Sequence, residues 1–219
     1  MGDLLDQINA THREIGDRPV ATGEGRSLLL RRSYDAPVED LWAACTDPDR
    51  LRRWLAPVTG DLRPGGAFSV EGNATGTVLR CEEPNLLKVT WEYSPESITE
   101  VEVRLAEGPD GGTLFELEHA SPAEVVDGLV RAQGPIGPIG IGGGWDLALV
   151  ALHGLLHDED FDVTAWRGTP EAGRCAVLGY RAWGAASQAA WQLGDDDIAA
   201  VVEFAVRHFA PAAPDGEEG

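Results

Sequence analysis

The chain has 219 residues, of which 43% are hydrophobic and 25% charged, proportions that are typical of a soluble globular protein. Its 17 Lys and Arg against 37 Asp and Glu give a formal net charge of −20, and a surface this acidic repels nucleic acid and anionic lipid. The first residues show no signal-peptide pattern and no window approaches about 18 apolar residues, so we expect a cytoplasmic protein with neither nucleic acid nor membrane as a partner.

Three cysteines, Cys45, Cys81 and Cys175, are scattered along the chain and form no Cys-x-x-Cys pair. This odd, scattered set predicts free, reduced thiols and argues against zinc binding or redox chemistry. The acidic stretch over residues 157–162, HDEDFD, has a consecutive spacing that suits no metal geometry and predicts a solvated loop. We therefore predict no metal site and no cofactor.

The N-terminal residues 1–18 predict a short helix with a small apolar face, and residues 19–25 predict a linker. We interpret residues 1–25 as a loosely docked N-terminal arm.

The segment from Arg26 to Pro57 predicts one strand followed by two short helices. A turn at Asp35-Ala36-Pro37 ends the strand, and Asp47 is expected to cap the second helix, with Pro48 just inside it. The first helix has an apolar stripe of Val38, Leu41, Trp42 and Cys45, and the second has an apolar face of Leu51, Trp54 and Leu55. Helices this short need a sheet against which to pack.

Five further strands are predicted, separated by Gly, Pro, Asn or Asp residues that favour turns. They are Ala67–Glu71, Ala74–Cys81, Leu86–Tyr93, Ile98–Leu105 and Thr113–His119. In the fourth of them Val101 and Val103 alternate with Glu100 and Glu102. We expect an antiparallel sheet with one charged, solvent-exposed face and one apolar face that another element must cover.

A helix over Trp145–His157 is the expected cover, because its apolar residues lie on one helical stripe. The preceding segment, residues 121–141, predicts a loop that is either mobile at a cavity mouth or a plain connector. Gly142-Gly143-Gly144 predicts a hinge into the helix rather than an anion site, because no cation lies nearby in the sequence. Asp146 is expected to help cap the helix.

Two more amphipathic helices are predicted, over Ala176–Leu193 and from Asp195 to Phe209, followed by an acidic tail over residues 210–219. We interpret residues 158–219 as a helical appendage that either docks on the core or forms a homodimer interface.

The opening segment also carries a family resemblance. Its pattern of a strand, Ala36-Pro37-x-x-x-Leu41-Trp42, Thr46-Asp47-Pro48 and Leu51-x-x-Trp54 resembles the START-like (SRPBCC) superfamily. More narrowly, it resembles the branch named after the activator of the heat-shock-protein ATPase, which includes polyketide-cyclase-like proteins. The resemblance implies an α+β helix-grip fold over residues 26–157, in which a curved antiparallel sheet wraps around a long C-terminal helix. It also implies an apolar cavity between sheet and helix.

Candidate ligand-binding residues come from the predicted inner faces of the sheet and the covering helix. A cavity His could orient a ligand or act as a general base, but a structural role is favoured for both His119 and His153. Tyr93 offers a hydroxyl to a ligand carbonyl. The candidate set is Trp91, Tyr93, Phe115, Leu117, His119, Trp145, Leu149, Leu152 and His153.

No motif of an established catalytic site occurs in the chain, so whether it is an enzyme stays open. The function predicted first is binding of a hydrophobic or aromatic small molecule, lipid- or polyketide-like, in the cavity. The alternative is a cyclase, dehydratase or hydrolase acting on a polyketide-like substrate, and a weaker alternative is a co-chaperone-like ATPase activator. Polar groups converging in the cavity would favour the enzyme, whereas a lining of Trp, Leu and Val would favour binding.

Overall fold

In a computed structural model, which describes residues 4–94, 97–108, 111–158 and 160–210, the chain forms an α+β fold around a single antiparallel sheet. The strands are β1 His12–Asp17, β2 Gly25–Tyr34, β3 Val58–Gly60, β4 Ala67–Val70, β5 Ala74–Glu82, β6 Leu86–Ser94, β7 Ser97–Glu107 and β8 Thr113–Pro122. The helices are α1 Leu4–Asn9, α2 Val38–Thr46, α3 Pro48–Trp54, α4 Ala123–Gln133, α5 Ile136–His157, α6 Val163–Arg167, α7 Pro170–Trp191 and α8 Asp195–Phe209. Glu159 and the tail over residues 211–219 lie outside the described residues.

The eight strands follow the order β1-β2-β8-β7-β6-β5-β4-β3, and every neighbouring pair is antiparallel. Alternation buries one face of the sheet against α2, α3 and α5, as a one-sided sheet requires. The helix-grip fold and its two short helices after β2 are therefore confirmed.

The N-terminal residues contribute to this core. Strand β1 pairs with β2 along its whole length, and Ile8 of α1 is only 1% exposed. The expectation of a loosely docked arm was wrong for these residues. They carry few apolar side chains, but α5 and α7 pack against α1, and α7 packs against β1.

Residues 121–144 were expected to form a loop followed by a hinge, but most of them are in regular secondary structure. They form the end of β8, all of α4 and the first part of α5. Gly142 and Gly143 are helical and face α7, where a Cβ would lie 2.4 Å from the Trp183 ring and 2.1 Å from the Tyr180 ring. Close helix packing therefore overrides the low helix propensity of glycine.

Helix α5 is also long and apolar enough to cross a membrane, with a mean hydropathy of 1.5, which corrects the expectation that no window qualifies. However, 72% of that apolar window is buried inside the protein, as in the core helix of a soluble domain. The apolar residues of α5 therefore form the core against which the sheet packs.

The outer face of the sheet is charged, as expected, but part of it is not exposed to solvent. Glu100 and Glu102 are only 6% and 7% exposed, because residues 18–21 cross over them. Arg18 pairs with Glu102 and Lys88 lies 2.6 Å from Glu100, so these buried carboxylates are matched by cations.

The C-terminal helices pack on the grip rather than standing apart from it. Helix α7 contacts α5, α1 and β1, and its Cys175 and Trp183 are fully buried in the common core. The division into an arm over residues 1–25, a helix-grip domain over 26–157 and an appendage over 158–219 stays a prediction, although the three segments share one buried core.

Candidate functional site

A cavity of about 300 Å³ lies between the sheet, the two short helices and α5, and we call it the inner chamber. Its walls are almost entirely apolar and aromatic. Helices contribute Trp42, Cys45, Thr46, Leu51, Trp54, Leu55 and Trp145, and the sheet with its connecting segments contributes Val58, Leu62, Phe68, Val70, Val78, Cys81, Glu83, Leu87, Val89, Trp91, Val101, Val103 and Leu117.

The opening segment of the sequence builds the roof of this chamber. Asp47 caps α3 by accepting a hydrogen bond from the Asp49 amide at 2.8 Å, as predicted. The Trp54 indole Nε1 donates to the Ala44 carbonyl at 2.9 Å and so fixes α3 against α2. This pairing lets Trp54 and Trp42 bury their rings while facing the sheet across the chamber.

A second cavity, of about 530 Å³, adjoins the first, and we call it the outer chamber. It lies between the end of β6, the first half of α5 and the C-terminal helices. Its lining residues are Leu55, Asn73, Trp91, Tyr93, Ile136, Gly137, Gly140, Ile141, Gly144, Trp145, Ala148, Arg167, Tyr180 and Phe209.

Two tryptophans separate the chambers. Trp91 and Trp145 line both cavities together with Leu55, and their rings lie 5.2 Å apart at an interplanar angle of 56°. Any movement of these two rings would change the connection between the chambers.

The position of Trp145 is set by a chain of buried hydrogen bonds. Its Nε1 donates to His119 Nδ1 at 3.0 Å, which leaves the ring proton of His119 on Nε2. His119 Nε2 then donates to the Thr99 hydroxyl at 2.8 Å, and Thr99 donates to the Trp91 carbonyl at 2.7 Å. The chain thus links the two tryptophans through one neutral histidine.

These contacts decide the role of His119. Its side chain is 1% exposed, and burial lowers its pKa to about 4. Since both ring nitrogens are occupied and the ring stays neutral at pH 7, His119 positions Trp145 rather than acting as a general base.

The structure brings only part of the candidate set to the cavities. Trp91 and Trp145 line both chambers, Leu117 lines the inner one, and Tyr93 lines the outer one. Tyr93 and His119 also border a smaller pocket of about 180 Å³ beneath α4. Three further candidates, Phe115, Leu149 and Leu152, are fully buried in the core and border none of these three cavities.

His153 lies away from both chambers, on the side of α5 that faces β2. Its ring stacks on His157 at 4.0 Å, and burial followed by the charge of His157 lowers its pKa to about 4. Arg32 lies on the inner face of β2, with its guanidinium 4.7 Å from the centre of the Tyr34 ring. This polar cluster supports the core rather than the cavity.

Asp146 does not cap a helix, because α5 begins ten residues earlier, at Ile136. Its carboxylate is 1% exposed and accepts from Arg13 Nε at 2.9 Å and from the Trp183 indole at 3.0 Å. Burial raises the pKa of Asp146, and the Arg13 guanidinium opposes that effect. Asp146 therefore joins β1, α5 and α7.

The C-terminal helices contribute side chains to the site that were not predicted from the sequence. Arg167, Tyr180 and Phe209 all line the outer chamber. Their own helical patterns gave no signal for this, because the positions depend on how α6, α7 and α8 pack against α5. The roof residues Trp42 and Trp54 could have been proposed, since each lies on the predicted apolar face of its short helix.

Comparison with known proteins places this site in a family context. Residues 35–157 match the family model described as Activator of Hsp90 ATPase homolog 1-like protein. The crystal structure of CalU16 from Micromonospora echinospora is 41% identical, with 82% of this chain and 99% of that chain covered and a TM-score of 0.64. Its solution NMR structure gives 39% identity, 82% and 96% coverage and a TM-score of 0.68.

Two further matches cover a smaller part of this chain. DynU16, a protein of the dynemicin biosynthetic locus, is 20% identical over 62% of this chain and 48% of that one, with a TM-score of 0.50, and shares the fold alone. Uncharacterized protein C1711.08 of Schizosaccharomyces pombe is 42% identical over 81 residues, which are 36% of this chain and 24% of that protein. This chain therefore spans about a quarter of that curated relative.

Proposed function

This chain belongs to the family of Activator of Hsp90 ATPase homolog 1-like proteins, and from that premise we propose that it binds a hydrophobic or aromatic small molecule in its two chambers. Its helix-grip fold is that of the START-like (SRPBCC) superfamily, whose branch here includes polyketide-cyclase-like proteins. The proposed ligand is lipid- or polyketide-like.

The observation that carries the proposal is the lining of the inner chamber. About 300 Å³ of space is enclosed by aliphatic side chains and four tryptophans, with Thr46, Glu83 and two thiols as its polar side chains other than indole N–H groups. Small-molecule sites have about this size, from roughly 300 Å³ upward, and bind mainly through apolar area. A cavity with this lining favours binding of an apolar molecule over catalysis of a reaction on that molecule.

One polar group in the wall could orient the ligand. The Trp91 indole Nε1 is buried and makes no hydrogen bond of standard geometry to a described residue. Burial raises the pKa of Tyr93 and a poorly aligned contact with Trp91 opposes that effect, so Tyr93 satisfies the indole N–H only weakly. An acceptor on a bound ligand would give this donor a well-aligned hydrogen bond. Trp91 lies between the chambers, so a carbonyl or ether oxygen at this point would be held at their junction.

The enzyme alternative finds no support in the same residues. Burial raises the pKa of the Cys45 thiol to about 12, so it is not a nucleophile at neutral pH. His119 is occupied on both nitrogens.

The test fills the inner chamber and asks whether a neutral apolar dye still binds. Val103 faces the chamber from β7, so Val103→Phe places its ring in empty space. We expect loss of phenylnaphthylamine fluorescence binding with little change in the free energy of unfolding. The matched control is Val150→Phe in α5, because Val150 is fully buried and borders neither chamber nor the pocket beneath α4.

Val150→Phe should overpack the core and cost about 1–3 kcal/mol while dye binding by the folded fraction persists. Urea unfolding and dye titration of both variants separate these outcomes. If Val103→Phe is destabilised as much as Val150→Phe and still binds the dye, the inner chamber is not the binding site.

We also propose a cytoplasmic location. Cys45, Cys81 and Cys175 form no disulfide and two of them are buried, and thiols that stay reduced are typical of a reducing compartment.

A further inference from the structure

We propose that the ligand carries one acidic group and that Arg167, at the wall of the outer chamber, binds it. This inference rests on the proposed function and specifies its substrate class: an apolar or aromatic body joined to an organic anion such as a carboxylate.

Arg167 is the last residue of α6 and lines the outer chamber without any hydrogen bond or ion pair to a described residue. The acidic residues nearest in sequence are already used. Asp162 accepts from the amides of Thr164 and Ala165 as the cap of α6, and Glu171 accepts from the Trp166 indole at 3.1 Å. Neither carboxylate forms an ion pair with the guanidinium, and burial is what changes the pKa of Arg167.

Arg167 is exposed to solvent at the open chamber, yet it is desolvated enough that burial lowers its pKa, and no neighbouring carboxylate offsets this effect. A guanidinium stays charged in proteins nonetheless, so the chamber wall holds an uncompensated positive charge that an anion can reach. The chain as a whole carries a net charge of −20. Arg167 provides a local attraction for an anion that the rest of the surface would repel.

The chamber itself has the charge distribution that an organic anion requires. Arg167 is the only charged side chain among its described lining residues, which include neither Asp nor Glu. Tyr180 and Asn73 add neutral donors to the same wall. Burial and the charge of Asp146 raise the pKa of Tyr180 to about 12, so its hydroxyl remains a donor at neutral pH.

The floor of the chamber leaves room for the apolar body. Gly137 and Gly144 of α5 line it, and a Cβ built on either one meets no other atom within 4 Å. Side chains at these two positions would project into the space that the glycines leave open. A flat ring system or an alkyl chain can therefore lie against α5, continue past Trp91 into the inner chamber and leave its acidic end beside Arg167.

The experiment compares two dyes that share one aromatic body. Anilinonaphthalene sulfonate carries an acidic group, and phenylnaphthylamine is its neutral counterpart. We expect Arg167→Gln to raise the Kd of the sulfonate dye about 10-fold or more, as loss of a charge-assisted hydrogen bond does, while the Kd of the neutral dye changes less than about twofold. Arg167→Lys keeps the charge but not the planar fork, so an intermediate Kd is expected.

The matched control is Arg174→Gln, because Arg174 is exposed on α7 and borders neither chamber. This variant has the same change in net charge and should bind both dyes as the wild type does. Thermal unfolding of all variants shows whether any loss comes from the fold.

The outcomes distinguish this inference from the proposed function beneath it. If the wild type binds both dyes and Arg167→Gln leaves both Kd values unchanged, or weakens both equally, the anion inference is overturned and the small-molecule site stands. If the wild type binds neither dye, the proposed function fails and the inference fails with it.

Discussion

Replacing His119 by Gln should remove a large part of the acid sensitivity of this fold. The amide of Gln can accept from Trp145 and donate to Thr99, so His119→Gln keeps both hydrogen bonds in outline but cannot take up a proton. The variant therefore separates the titration of His119 from its packing.

The lowered pKa of His119 determines whether stability rises or falls with pH. His119 is neutral in the folded protein down to about pH 4, whereas in the unfolded chain it gains a proton below about 6.5. Protons therefore favour the unfolded state between these values, and stability falls as the pH falls. The difference between 6.5 and about 4 corresponds, at about 1.4 kcal/mol per pKa unit, to about 3 kcal/mol of unfolding free energy.

The assay is urea unfolding of wild type and His119→Gln from pH 8 to pH 4. We expect the wild type to be the more stable protein at pH 8 and its advantage to shrink by about 2 kcal/mol at pH 5 and by about 3 kcal/mol near pH 4. Other groups titrate in both proteins and cancel in the difference. Among them are His153, whose pKa burial also lowers, and Asp146, whose pKa burial raises. A constant difference across this range would show that His119 is not held neutral by burial.

Two further predictions concern the packing of α5. Asp146→Ala leaves the buried Arg13 without its carboxylate and should cost about 3–5 kcal/mol in urea unfolding, more than the double variant that also replaces Arg13 by Met; equal costs would mean that leaving Arg13 buried and unpaired carries no penalty. Gly143→Ala places a methyl group 2.1 Å from the Tyr180 ring and should cost about 1–3 kcal/mol, whereas Gly144→Ala meets no atom within 4 Å and should be neutral or stabilising by up to about 1 kcal/mol. Similar melting temperatures for the two glycine variants would contradict this packing.

Local patterns predicted the strands of the meander and the two short helices, because those elements carry their own periodicity. Strand β1 was missed, since HREIGD lies at the edge of the sheet and Ile15 is its only large apolar residue, so the sequence shows no alternation of apolar and polar side chains. Helix α5 was predicted too short, because PIGPIGIGGG has the composition of a loop. Its helical state depends on α7, whose Trp183 and Tyr180 fill the space beside Gly142 and Gly143.

Long-range pairing explains the other differences. Glu100 and Glu102 alternate with valines and were expected in solvent, but the segment around Arg18 crosses over them from the far end of the sequence. Burial raises the pKa of Glu100 less than Lys88 and the Ala21 amide lower it, so the carboxylate stays charged under that cover. A pattern of period two gives the face of a strand but not what lies on that face.

The same limit applies to the site. Periodicity, of two in the strands and of the helical stripe in α5, placed Trp91, Leu117 and Trp145 on inward faces, and all three border a chamber. It placed Leu149 on an inward face equally well, yet Leu149 is fully buried and its carbonyl accepts from the Tyr34 hydroxyl at 3.0 Å. Periodicity distinguishes inside from outside, but it does not distinguish a filled interior from an empty one.

The two chambers also differ in which part of the chain builds them. The match to the family model ends at His157, and the inner chamber is lined only by residues within it. The outer chamber takes Arg167, Tyr180 and Phe209 from beyond that point. Because selectivity is a difference between affinities, groups outside the shared segment can change the preferred ligand without disturbing the apolar cavity. Family members that share the inner chamber but have no cation in the place of Arg167 should therefore bind neutral phenylnaphthylamine comparably and bind its sulfonate less tightly.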